Sequence, residues 1–312
     1  MNTITRLEIE LFTSTSKPFK LKNPLLLASG TCGYAVELDN FTDLQAPGAF
    51  ISKGTTLAPR EGNPQPRIAE TGNGMLNAIG LENIGVDALI KEKAPIWHKS
   101  GITVIVNIAG STVDEYSELA ARLDGVSGVA GIEVNISCPN VQAGGLEFGL
   151  KPETASAVTA AVRKATSLPV IVKLSPGSGC TADIAQAVTS AGADAITLIN
   201  TFKGMAIDIH KRKPLLGNIT GGLSGPALKP IALSMVYEVA GIVDIPLIAC
   251  GGISTAQDAI EFIMAGASAF QVGTAFMIDP SVPSRIISDL DNFFVEQDIE
   301  HVDEIKGCAQ VK

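Results

Sequence analysis

The hydrophobic positions of this chain gather into eight short runs: Leu25–Ala28, Ala49–Ser52, Thr103–Asn107, Gly131–Ser137, Pro169–Leu174, Ala195–Asn200, Pro246–Cys250 and Ala269–Val272. Each is rich in aliphatic residues and too short for a helix, so each predicts a strand. Between them a helical period recurs, over Val113–Leu123, Glu153–Thr166, Thr181–Ala191, Pro226–Ala240, Thr255–Ala265 and Val282–Phe294. Start signals support the assignment: Thr112 precedes Val113 with Glu115 three residues on, and Ser254-Thr255 is followed by Asp258. Strand–helix alternation repeated eight times predicts an α/β fold, a (β/α)8 TIM barrel, with a doubly wound open sheet as the structural alternative. Two connections are longer than such units need. Gly54–Ser100 and Thr201–Leu223 both leave the C-terminal ends of strands, the barrel face that carries active sites. Leu7–Phe12 and Phe19–Lys22 predict an N-terminal hairpin closing the other end.

Composition fits that picture. At 312 residues the chain suits one barrel domain, 1–312, and 46% apolar against 18% charged residues suits strands covered on both faces. A net charge of −9 argues against nucleic acid and against anionic membrane surfaces. The start, MNTITRLEIELF, lacks a basic segment followed by an apolar core, and the longest uncharged stretch, Phe262 to Ile278, is broken by Gly266, Ser268, Gln271 and Gly273. Five cysteines with no C-x-x-C speak against a disulfide framework or a zinc site, so a soluble cytoplasmic protein is expected.

The ends of the predicted strands carry unusual chemistry. In order they are Ser29-Gly30, Lys53-Gly54, Asn107, Asn135 with Cys138, Lys173, Asn200-Thr201, Gly251-Gly252 and Gly273-Thr274. On a barrel they converge on one mouth, where buried polar groups need ligands. The two glycine pairs follow the seventh and eighth strands, the usual phosphate site of barrels, and let backbone N–H groups approach an anion. Lys173 lies in PVIVKLSP, among apolar residues. That placement suits either a Schiff-base nucleophile or a permanent cation beside an electron-rich cofactor. Cys138, between Asn135 and Asn140 in NISCPN, suits a proton acceptor facing a polar, planar ligand, although a lone cysteine is ordinarily a small buried filler. The NAIGL segment, Asn77 to Leu81, offers an amide and a turn of N–H groups fit for a carboxylate.

The motifs SGTCGY, SKGTT, REGNPQPR, NAIGL, NISCPN, VKLSP, NTFKGMAIDI, GGLSGPALKP, ACGGI and QVGTA follow one another in an order and spacing that resembles class 1 dihydroorotate dehydrogenases, from about Leu25 to Met277. Cysteine rather than serine in NISCPN resembles class 1, and the GTCGY, NTFKGMAIDI and GGLSGPALKP forms resemble the NAD-linked 1B branch. The resemblance implies oxidation of (S)-dihydroorotate to orotate in pyrimidine biosynthesis on an FMN barrel, with one FMN per chain. It implies FMN contacts from Ser29, Lys53, Gly54, Asn107, Asn135, Lys173, Ile199, Gly225, Gly251, Gly252, Gly273 and Thr274. Dihydroorotate would be held by Lys53, Asn77, Ala78, Ile79, Gly80, Leu81, Asn135, Asn140, Asn200 and Thr201. Cys138 would take the C5 proton while hydride leaves C6, with Lys173 stabilising the reduced flavin. Cys32, Cys180, Cys250 and Cys308 match no role and are expected to be fillers or incidental thiols.

The sequence holds no second nucleotide fingerprint and no cysteine cluster for iron–sulfur ligation. The class 1B resemblance therefore implies a partner subunit with FAD and a [2Fe-2S] cluster, in a heterotetramer built on a homodimer of this chain. Two alternatives stand beside it: a 1A-like enzyme using fumarate, and a Schiff-base aldolase on the same barrel using Lys173.

Overall fold

The computed structural model describes residues 6–12, 18–38, 42–136 and 148–311. Eight strands lie where the apolar runs fall: β1 (Leu25–Leu27), β2 (Ala49–Ile51), β3 (Val104–Ile108), β4 (Gly131–Asn135), β5 (Val170–Lys173), β6 (Ala195–Leu198), β7 (Leu247–Cys250) and β8 (Ala269–Val272). Neighbours pair in parallel around a closed ring, β8 joining β1 through Gln271 opposite Leu26. Closure leaves no edge and buries both faces, which is why the strands read as continuous apolar runs.

The outer layer consists of α1 (Ala94–Ser100), α2 (Val113–Leu123), α3 (Pro152–Ala165), α4 (Thr181–Ser190), α5 (Lys229–Ala240), α6 (Ala256–Met264), the short α7 (Thr274–Ile278) and α8 (Val282–Glu296). The predicted start signals are used. Thr112 Oγ1 accepts the Glu115 N–H, and Thr255 with Asp258 forms a reciprocal cap on α6. The alternation is incomplete in one place. Among the described residues the β1–β2 connection carries only a 3-10 turn, Val36–Leu38, instead of an α-helix. The predicted helix at Pro226–Ala240 divides into a 3-10 turn, Pro226–Leu228, and α5.

The N-terminal hairpin forms as Ile9–Phe12 against Phe19–Leu21, antiparallel, and buries Leu11, Phe12 and Leu21 in the main core. The two long connections meet each other. Ile68–Thr71 and Gly74–Asn77 from the first pair with Phe202–Gly204 and Gly221–Ser224 from the second. Together they make a four-stranded antiparallel roof over the C-terminal mouth of the barrel, with a small core of its own around Leu76, Ala78 and Leu216. Among the described residues no helix is long and apolar enough to cross a membrane, and no cluster of His, Cys, Asp and Glu could hold a metal ion.

Candidate active site

Strand register decides which side chains point into the barrel. Asn107 lies opposite Glu133, Asn135 opposite Lys173, and Lys173 opposite Thr197. Four barrel strands thereby contribute polar side chains to an interior that barrels normally fill with branched apolar ones. Above them, between barrel and roof, opens a cavity of about 400 Å³. That volume matches a small-molecule or cofactor site.

The predicted residues come together there. Ser29, Lys53, Gly54, Asn77, Ile79, Gly80, Leu81, Asn107, Asn135, Lys173, Ile199, Asn200, Thr201, Gly225, Gly251, Gly252, Gly273 and Thr274 all line the cavity. Ala78 departs from the expectation. Its methyl packs in the roof core, its N–H donates to Arg67 O and its C=O accepts from Asn63 Nδ2. Cys138 and Asn140 lie outside the described residues.

The floor is a connected polar network. Glu133, fully buried, accepts from Asn107 Nδ2 (2.8 Å), Gln271 Nε2 (2.6 Å) and Thr197 Oγ1 (3.0 Å). Lys173 Nζ donates to Gln271 Oε1 at 2.9 Å and stands 3.8 Å from Glu133 Oε1. Burial, the largest influence, works against the lysine charge, but Cys250 and Glu133 outweigh it and hold the ammonium above the ordinary lysine range. Burial, against the pull of Lys173, pushes the Cys250 thiol up, so Cys250 adds to that hold only as it ionises and the Glu133 carboxylate is the standing counter-charge. A lysine set 3.8 Å from a buried carboxylate is poorly suited to supply the neutral amine that a Schiff-base nucleophile needs.

Asn107 Oδ1 is buried with no hydrogen-bond partner, and a Cβ at Gly54 would lie 3.2 Å from it. An unmet acceptor beside a glycine wall fits a planar ligand with an N–H edge. On the opposite side the N–H groups of Gly251, Gly252, Gly273 and Thr274 make no hydrogen bond among the described residues. Gly252 has φ +77°, and a Cβ there would meet Lys229 N at 2.6 Å, so only glycine allows this turn. The start of α6 contributes less than expected, because Asp258 Oδ2 already accepts the Ser254 and Thr255 N–H groups at 2.9 Å each. The cradle is the upstream turn, not the helix end.

At the rim, Lys53 Nζ pairs with Glu82 Oε1 at 3.2 Å, and Glu82 also binds Arg67. The hydrogen bond and charge of Lys53, followed by Arg67, hold the Glu82 carboxyl below the usual range. The Ile79, Gly80 and Leu81 N–H groups make no hydrogen bond among the described residues. Asn200 Nδ2 donates to Asn135 Oδ1 at 3.3 Å, which orients the two amides, and Tyr116 Oη donates to the Asn135 backbone carbonyl at 2.7 Å.

Four residues here were missed from sequence. Glu133, Thr197 and Gln271 are polar residues inside apolar strands, the same signal that singled out Lys173. Cys250, expected to be a filler, lines the cavity.

A closed parallel barrel with an amide-and-lysine floor and a glycine anion cradle at its C-terminal mouth defines a cofactor-binding barrel enzyme. A family model for dihydroorotate dehydrogenase matches residues 12–294. The chain is 53% identical over 292 residues, 94% of its length, to the dihydroorotate dehydrogenase B (NAD(+)) catalytic subunit of Citrifermentans bemidjiense, covering 96% of that protein. It is 54% identical over 291 residues to the subunit of the same name from Pelobacter propionicus, covering 93% of this chain and 96% of that one. A crystal structure of DHODH from Eimeria tenella in complex with ferulenol superposes with a TM-score of 0.80 at 23% identity, over 97% of this chain and 88% of the other, which establishes the shared fold. The chain belongs to the dihydroorotate dehydrogenase family, and is an oxidoreductase.

Proposed function

We propose that this chain oxidises dihydroorotate to orotate at the barrel mouth with one bound FMN, as the catalytic subunit of an NAD-linked enzyme of pyrimidine biosynthesis. The observation that carries the reading is the floor, where the orphaned buried acceptor of Asn107 and the Lys173 ammonium both line the cavity and share Glu133 beneath it. The chemistry that bound FMN supplies is acceptance of the hydride from C6 of the substrate.

The chain's own residues do the rest. Gly251, Gly252, Gly273 and Thr274 offer N–H groups to the phosphate. Asn107 accepts from the ring edge, Lys173 sets positive charge where the ring becomes electron-rich, and Ser29, Gly54, Ile199 and Gly225 shape the walls. Lys53 and the turn through Ile79, Gly80 and Leu81 bind the substrate carboxylate, with Ala78 supporting that turn from the roof core. Asn77, Asn135, Asn140, Asn200 and Thr201 read its ring edges. Cys138 Sγ takes the C5 proton and returns it to solvent after the product leaves. The whole chain works as one domain, since the main core runs from the hairpin to α8 and the roof core is only a small satellite.

We further propose that the electrons leave through a partner subunit carrying FAD and a [2Fe-2S] cluster, on a homodimer of this chain in a heterotetramer. The relatives' designation as a catalytic subunit supports a partner. So does a set of exposed apolar side chains, Ile68, Met205, Ile207, Ile209, Met277 and Ile278, of which Ile68 and Met277 also line the cavity. The four cysteines among the described residues, all free, and the acidic charge fit a cytoplasmic setting.

The test is an absorption spectrum of the purified chain. A flavin spectrum with one FMN per chain, bleached by dihydroorotate, is expected. A colourless protein that takes up no added FMN would refute the reading.

A further inference from the structure

Beneath the cavity floor lies a carboxylate that the proposed reaction does not use. Glu133 has no exposed surface and does not line the cavity, yet it reaches three residues that do: Asn107, Gln271 and Lys173. Asn107, Gln271 and Thr197 all present donors to it, the arrangement of an ionised, acceptor-only group.

Two consequences follow from that geometry. An amide can turn either end to a ligand, but a carboxylate cannot donate, so Asn107 must keep Nδ2 on Glu133 and its acceptor toward the cavity. By the same logic Gln271, with Nε2 on Glu133, must offer Oε1 to Lys173. The second consequence is electrostatic. A buried lysine without a counter-charge surrenders its proton readily. Among the described residues the titratable groups facing Lys173 are Glu133 from β4 and Cys250 from β7, with Lys53 of β2 across the cavity, already engaged by Glu82.

We propose that Glu133 is a positioning residue that fixes the polarity of the floor, locking Asn107 as an acceptor and keeping Lys173 protonated under the cofactor. This rests on the FMN reading above, and its test separates the two. FMN-loaded chain is titrated with dithionite between about pH 6 and about pH 9, and the slope of the midpoint potential against pH counts the protons taken up with two electrons. In the unaltered protein Lys173 is charged throughout, so the slope stays constant. In Glu133→Gln, Lys173 is neutral before reduction and gains a proton on it. The slope steepens by up to about two-fold, because two protons rather than one accompany two electrons. FMN binding also weakens by about ten-fold or more, as Asn107 loses its enforced orientation.

Glu133→Asp keeps the charge and the original slope, even where its shorter reach costs stability. Cys250→Ala leaves the slope unchanged, since a neutral thiol is no counter-charge. Three results would overturn the proposal: a second proton already taken up by the unaltered protein, an unchanged slope in Glu133→Gln, or steepening in Cys250→Ala. If Glu133→Gln fails to retain FMN, a second proton taken up by the unaltered protein or steepening in Cys250→Ala still overturns the proposal, and retention of FMN with the original slope by Glu133→Asp bears out the need for a carboxylate there. None of these outcomes touches FMN binding by the unaltered chain, which fails only if the proposed function fails.

Discussion

Cys138 and Asn107 ask different things of their surroundings, and both are testable one residue at a time. A thiol titrates near ~8.5 when unperturbed, and only the thiolate can take a proton. Reduction of the bound cofactor by dihydroorotate is therefore expected to rise with pH through that range. Cys138→Ala should slow it by about 100-fold or more, the usual contribution of a general base, while orotate still binds. Cys138→Ser should retain a trace of activity displaced to higher pH. Turnover of the alanine variant at the unaltered rate would place the base elsewhere. For Asn107 the argument is one of satisfaction: a buried acceptor without a partner costs about 1–3 kcal/mol, which ligand binding recovers.

The elements differ in how plainly they were written in the chain. Barrel strands were legible because both faces are buried, so β5 and β8 carry four consecutive buried residues each. The roof was hidden because its strands are built on glycine, a poor strand former. A Cβ at Gly222 would fall 2.0 Å from Thr201 Oγ1, so close approach, not propensity, chose the residue. The segment leading into α1 was missed for another reason, since its helical path begins at Val86–Ala88 and passes through a π-helical turn, Leu89–Lys93, before α1, which departs from the regular helical period. Strand-end residues of the site were readable from position alone. Glu133, Thr197 and Gln271 lie deeper, and only the register of neighbouring strands shows that they meet. Two predictions belong here. Thr255→Ala removes the α6 cap and should lower stability by about 1 kcal/mol in denaturant unfolding. Glu82→Gln removes the carboxylate that occupies Lys53, so orotate should bind a few-fold more tightly by calorimetry. Unchanged affinity would mean that Glu82 and the ligand do not compete.

At the scale of the molecule, the barrel mouth holds a cavity with a glycine anion cradle, and the sequence carries no second nucleotide fingerprint for NAD. The isolated chain should reduce artificial acceptors with dihydroorotate but fail to reduce NAD at a useful rate until an FAD and iron–sulfur subunit is added. Rapid NAD reduction by the chain alone, or a preference for fumarate, would overturn the 1B assignment and leave the dihydroorotate chemistry standing. The roof carries a consequence of another kind. Its strands come from connections more than a hundred residues apart, such as Leu76 and Leu223, and its private core is only three buried residues. Such a unit is a poor cooperative partner for the barrel and opens at a lower free energy than the molecule unfolds. In native-state hydrogen exchange the amides of Leu76 and Leu223 should therefore exchange well ahead of those of Val134 and Val172, and saturating orotate should slow only the first pair. The ring of parallel strands would keep its protons while the cover breathes, so the rate at which ligands come and go is set by the weakest sheet in the protein.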